Sequence, residues 1–144
     1  MMSKQVTRLL ICIVISAVMS PLAAHHSFIA QYDPEQPVTL KGVVTKIEWM
    51  NPHVYFYIDV VNEETGEVEN WGIEMGPPHM LQRRGWKRNT LNYGDELEIE
   101  GSRARNGDTS ANARRVTLSA TGEVLGAASS GQTITDSGPA DESE

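Results

Sequence analysis

Cysteine occurs once in the 144 residues, as Cys12, inside an apolar run near the start. Beyond that run the chain has no thiol, which excludes a disulfide framework and a cysteine-based metal site. Positive charge is also scarce, with 12 Lys and Arg against 19 Asp and Glu and a formal charge of −7. Nucleic-acid affinity comes largely from neutralising phosphates, so this balance argues against a general nucleic-acid binder. The apolar run is shorter than the roughly 20 residues a membrane-spanning helix needs. There is no Ser-His-Asp order, phosphate-cradling glycine loop or zinc-ligand spacing. A non-enzymatic binding protein is therefore the favoured reading.

Residues 1–24 read as a secretory signal. Lys4 and Arg8 precede the apolar Leu9 to Val18, Ser20-Pro21 breaks the run, and Ala23 and Ala24 supply small residues for cleavage. A retained anchor is the rival reading, and the shortness of the run disfavours it. The expectation is a periplasmic or secreted protein with no stable membrane insertion after cleavage. Removing this segment deletes two positive charges and no negative ones, leaving 10 against 19 and a charge of −9. Eight of those ten cations, Arg83, Arg84, Lys87, Arg88, Arg103, Arg105, Arg114 and Arg115, fall within 33 residues of sequence. Such a patch suits an anionic ligand or partner, or it pairs with the many glutamates.

The pattern after the signal is that of strands. An irregular arm over residues 25–37 is followed by a long strand, Val38 to Trp49, which keeps its apolar residues on one face only with a bulge near Gly42. Asn51-Pro52 turns the chain into a second strand, His53 to Val61. There Val54, Phe56, Ile58 and Val60 share one face, and His53, Tyr55, Tyr57 and Asp59 the other. A third strand, Glu69 to Met75, turns Trp71, Ile73 and Met75 inward and Asn70 and Glu74 outward. Pro77 to Gly85 reads as a short helix opened by prolines and closed by glycine. Strands over Glu96 to Arg103 and Ala113 to Ser119 follow. This order, β-β-β-α-β-β, predicts an all-β domain with one short helix over residues 38–119. It matches a five-stranded barrel like the oligonucleotide/oligosaccharide-binding (OB) fold, with an open antiparallel sandwich as the alternative. Residues 120–144, poor in apolar side chains beyond Val124 and Leu125, are expected to form a disordered acidic tail.

Several short segments carry a resemblance. Ala24-His25-His26-Ser27-Phe28, Val38-Thr39-Leu40-Lys41-Gly42, Glu48-Trp49-Met50-Asn51-Pro52-His53, Asn70-Trp71, Arg84-Gly85-Trp86 and Asn112-Ala113-Arg114 together resemble a family of small exported bacterial proteins of unknown function. The resemblance spans roughly residues 24–119 and implies export and a barrel-like fold, without implying an activity.

Two kinds of chemistry are open to these residues. On the barrel face His53, Tyr55, Tyr57, Arg103, Arg105, Asn112 and Arg114 form the candidate ligand-binding set. The tyrosines offer stacking surfaces and the arginines grip carboxylate, sulfate or phosphate. The matching partner is a small anionic, saccharide or envelope ligand, or another protein. The alternative is copper. Cleavage after Ala24 would leave His25 with a free amine beside its imidazole, a chelate similar to a histidine brace, and cleavage after Ala23 would place a histidine second and third. Either terminus suits Cu(II), with His26, His53 and His79 as the remaining candidate ligands. Asp59 and Glu74 are a candidate carboxylate pair, as strand-surface acids that could face one another.

Overall fold

The computed structural model describes residues 28–129, so the expected secretory signal, His25, His26 and residues 130–144 of the expected tail lie outside the described residues. Within it the protein is mostly β. A short helix, α1 (28–31), leads into β1 (Tyr32–Glu48), β2 (Tyr55–Val61) and β3 (Val68–Glu74). Helix α2 (Pro78–Arg83), β4 (Glu96–Ala104), β5 (Ser110–Leu118) and β6 (Val124–Gly126) follow. The six strands form one sheet in the order β3-β2-β1-β4-β5-β6, each antiparallel to its neighbours in that order. In addition β3 meets β5 in parallel at Gly72↔Ser110, Ile73↔Ala111 and Glu74↔Asn112.

Strand β1 organises the sheet because it is long enough to serve two partners. Its first part, from Tyr32 to Val43, pairs with β4, and its last part, from Val43 to Glu48, with β2. The register slips between Val44 and Lys46, so the bulge lies at Thr45 and not near Gly42. Leu40 and Val44 therefore face the core, Val43 is exposed, and Ile47 returns to the apolar side after the slip. Gly42 has a different task. A Cβ there would stand 2.5 Å from the Asp59 carbonyl oxygen, so only glycine lets the strands approach this closely.

The core confirms the alternation read for β2, with Val54, Phe56 and Ile58 fully buried. Trp71, Ile73 and Met75 of β3 and its extension join them, with Leu97 and Ile99 from β4, and Val116 from β5. Each such side chain removed from water contributes about 1.5–3 kcal/mol, which is what fixes the register of the sheet. Leu81 of α2 and Trp86 just after it seal one end. Gly85, with φ +95, makes the turn between them.

Three boundaries differ from expectation. Strand β1 begins at Tyr32, six residues early, because Tyr32 and Asp33 pair with Ala104 and Arg103 across an irregularity that runs to Pro37. Part of the expected arm is thus sheet, and a second short helix precedes it. At the other end residues 124–129 are ordered, contrary to the expected disorder of the whole tail. Leu125 is buried, β6 pairs with β5, and Trp86 Nε1 donates to the Gly126 carbonyl at 2.9 Å. One apolar side chain and a set of backbone hydrogen bonds are enough to hold a segment of otherwise small residues.

The close approach at Gly42 has a measurable consequence. Gly42→Ala should lower unfolding free energy by about 1–3 kcal/mol in urea denaturation, since the new methyl meets backbone that cannot step aside. Gly72→Ala, whose methyl would meet only the Tyr57 ring at 3.5 Å, should stay within about 0.5 kcal/mol of the parent. Equal stability of the two variants would contradict this packing.

Candidate ligand-binding site

The polar face of β2 and β3 converges on a residue outside the expected set. Register pairs Tyr55 with Glu74, and the Glu74 side chain is only 5% exposed although it points away from the apolar core face. Four side chains close around its carboxylate. Tyr32 donates to Oε2 at 3.1 Å and Tyr55 donates to the same oxygen. Asn112 Nδ2 donates to Oε1 at 3.2 Å, and His53 Nδ1 lies 3.0 Å from Oε1. A carboxylate only accepts, so Nδ1 carries the hydrogen and the outward Nε2 keeps a lone pair whenever the imidazole is neutral. Burying an ionised carboxylate costs several kcal/mol unless it is well hydrogen-bonded, and these four donors offset that cost.

Each partner is delivered by a different element. Tyr32 opens β1, His53 follows the Asn51-Pro52 cis peptide, Tyr55 opens β2, and Asn112 stands opposite Glu74 where β3 meets β5. Asn112 is also within hydrogen-bond distance of Ser129 Oγ, 3.1 Å from Nδ2, which ties the C-terminal segment to the cluster. Burial, then the charge of Glu74 and the hydrogen bond to it, push the Tyr32 phenol well above its usual range. Tyr55 is pushed up likewise, by burial first, then by the bond to Glu74. Both hydroxyls therefore keep their protons.

Part of this cluster lines a cleft of about 520 Å³. Tyr32, Tyr55, Glu74, Arg105, Asn106 and Ser110 are among the residues that line it. Arg105 is fixed there by donating from Nε to the Ile29 carbonyl at 2.7 Å and from NH1 to Asp33 Oδ2 at 3.2 Å.

The expected residues thus divide. His53, Tyr55 and Asn112 come together on Glu74, and Arg105 lines the same cleft as Tyr55. Tyr57 does not: its hydroxyl donates to Glu48 at 3.1 Å and its ring carries the Lys46 ammonium 4.9 Å from the centroid. Glu48 is held below the usual carboxylate range by its bonds to Lys46 and Tyr57. Arg103 sits over the Trp71 ring, 5.3 Å from the centroid, and Arg114 pairs with Glu100. Asp59 faces Asn70 four residues along the strand from the Tyr55–Glu74 pair, so the two acids do not face each other. His79 is exposed on α2. Among the described residues no three His, Cys, Asp or Glu side chains gather as a metal cluster, and no helix is long and apolar enough to cross a membrane. Sequence reading takes Glu74 as an outward acid paired with Asp59 and leaves Tyr32 out of the site, because alternation gives a face, whereas only register shows that Glu74 opposes Tyr55.

Residues 12–113, the greater part of the chain, match a family described as "Family of unknown function (DUF6152)". No curated protein matches the chain.

If the buried carboxylate holds this face together, Glu74→Leu should cost about 3–5 kcal/mol in urea denaturation, because Tyr32, His53 and Asn112 lose their shared acceptor. A loss under about 0.5 kcal/mol would contradict the network. The phenols supply a second check. A group whose proton is held more tightly when folded lends its stability below the unfolded value and loses it as pH rises toward the folded one. Stability should therefore fall above pH about 10, and phenolate absorbance from Tyr32 and Tyr55 should appear only as the protein unfolds. Replacing both by Phe should flatten that alkaline fall.

Proposed function

The chain belongs to that family of unknown function, and from its cleft we propose that it is an exported, non-catalytic binding protein for an acidic saccharide or similar hydroxyl-rich anion. The observation that carries this reading is a cleft of about 520 Å³ whose lining combines Tyr32, Tyr55 and Glu74, already hydrogen-bonded to one another, with Arg105. Both phenols spend their protons on Glu74, so what the half-buried Tyr55 has left for a ligand hydroxyl is an acceptor lone pair. Among the described residues Arg105 is engaged through Nε and NH1, which leaves NH2 for a ligand carboxylate. Tyrosines that stay protonated suit recognition better than proton transfer. Groups already held in place lose little freedom on binding, which favours affinity.

Two further parts of the reading have separate support. Export is supported by the charged, apolar and small-residue pattern of residues 1–24. An OB-like barrel is supported by the ring of pairings β1-β2-β3-β5-β4 and back to β1, with a long bulged first strand. In such a barrel the cleft would open beside the junction of β1, β3 and β5.

Calorimetric titration with polygalacturonate oligomers, and with neutral malto-oligosaccharides for comparison, tests the reading. The acidic oligomer should bind more tightly, and Tyr55→Phe and Arg105→Ala should each weaken it about tenfold, or about 1.4 kcal/mol. Arg114→Ala, outside the cleft, should change nothing. Absence of binding by the acidic oligomer, or affinity indifferent to both cleft substitutions, would contradict the assignment.

A further inference from the structure

The cations of this acidic chain divide into held and unheld ones. Lys41 and Lys46 pair with Glu98 and Glu48, Arg105 with Asp33, and Arg114 and Arg115 with Glu100, while Arg103 lies over the Trp71 ring. Arg84 donates to the Ala128 carbonyl. Arg83, Lys87 and Arg88 differ, since they are exposed and their side chains have no partner among the described residues. No acid interrupts them either: the stretch from Met75 to Gly94 contains none, in a chain that carries 19.

The local fold gathers these three side chains into one patch. Leu81 is buried, Gly85 turns the chain at φ +95, and the Trp86 backbone N–H returns to the Leu81 carbonyl at 3.1 Å. Arg84 and Trp86 are tied to the segment after β6, which leaves Arg83, Lys87 and Arg88 outside. Even fully extended backbone spans at most about 17 Å from residue 83 to residue 88, and the turn at Gly85 shortens that. Two exposed side chains of another kind flank the patch, Met50 at 54% and Tyr93 at 81% exposure. Both lie in connections at the end of the sheet that α2 closes, Met50 between β1 and β2 and Tyr93 just before β4.

We infer that this end of the protein docks on a membrane surface rich in anionic phospholipid, with Arg83, Lys87 and Arg88 against the headgroup phosphates and Tyr93 and Met50 at the interface. A shaped anion is best recognised by cations already held in place, as Arg105 is, whereas a spread negative surface needs only cations able to reach it. Tyrosine suits the boundary because its ring is apolar and its hydroxyl polar. The overall negative charge is screened beyond about 8 Å at physiological salt, so the local patch decides which side meets such a surface. The contact is peripheral, and no helix among the described residues is long and apolar enough to cross a membrane. It goes beyond the cleft reading, since none of these five residues lines the cleft.

Vesicle sedimentation with the chain purified from its own cells tests this. At low salt the protein should partition onto vesicles of phosphatidylglycerol mixed with phosphatidylethanolamine, and not onto phosphatidylcholine vesicles, and about 0.5 M NaCl should release it. Arg83→Gln, Lys87→Gln and Arg88→Gln should each weaken partitioning about fivefold, and the triple variant should stay in solution. Lys41→Gln with Arg114→Gln, which removes cations already paired, should change it by no more than about twofold. In the unmutated protein a nitroxide carried on the lipid headgroup should broaden the amide resonances of residues 83–88 and of Tyr93, and leave that of Arg105 sharp. Equal partitioning onto both kinds of vesicle, broadening that spares residues 83–88, or parental binding by the triple variant would overturn the docking. So would binding to soluble polyglutamate with none to vesicles, which would make the patch a site for an acidic protein. Oligosaccharide binding in the cleft is read in its own titration and is independent of either result.

Discussion

A carboxylate at the end of β3 is buried where β1, β2 and β5 come together, and the polar half of the molecule is arranged around its need for donors. Glu74 takes hydrogen bonds from Tyr32, Tyr55 and Asn112 and pairs with His53. In a dry setting the charge is tolerable only because all four are present, and each is present only because its strand is in register. The apolar core sets that register through Val54, Phe56, Ile58, Trp71 and Ile73. Hydrophobic packing and the polar site are thus one constraint seen from two faces of the same strands.

The same carboxylate gives the two termini of the described chain a reason to be ordered. Phe28 and Tyr32 bring the first described residues to Oε2, and Ser129 reaches Oε1 through Asn112. From the α2 side Arg84 donates to the Ala128 carbonyl and Trp86 to that of Gly126. The small residues Ala127 and Ala128 are buried, and Gly76 leaves room for the Ala128 carbonyl passing over it.

Much of this was legible in the sequence, for identifiable reasons. Period-two alternation in β2 and β3 gave the core face, since Val54, Phe56 and Ile58 have no other place to go. Proline before α2 and glycine after it gave the helix to within two residues at each end. Glycine in a strand points to a bulge near Gly42, yet β1 uses that glycine for close approach to Asp59 and bulges at Thr45. Strand pairing at Tyr32 and β6 depends on long-range backbone hydrogen bonds, which leave little trace in composition. His53, Tyr55, Asn112 and Arg105 stand out in the sequence because unusual side chains share a face or loop. Glu74 was seen but placed in solvent, since its burial comes from neighbours on three other strands, and Arg103, Arg114 and Tyr57 were drawn to local partners that only register reveals.

The central claim is that Glu74 holds His53 by an Nδ1–H hydrogen bond. Nitrogen-15 NMR of the imidazole, correlated through its ring protons, reads the tautomer directly. The account predicts that in the neutral ring the proton resides on Nδ1, and that Glu74→Leu abolishes that preference. A neutral His53 with its proton on Nε2 in the unmutated protein would contradict it.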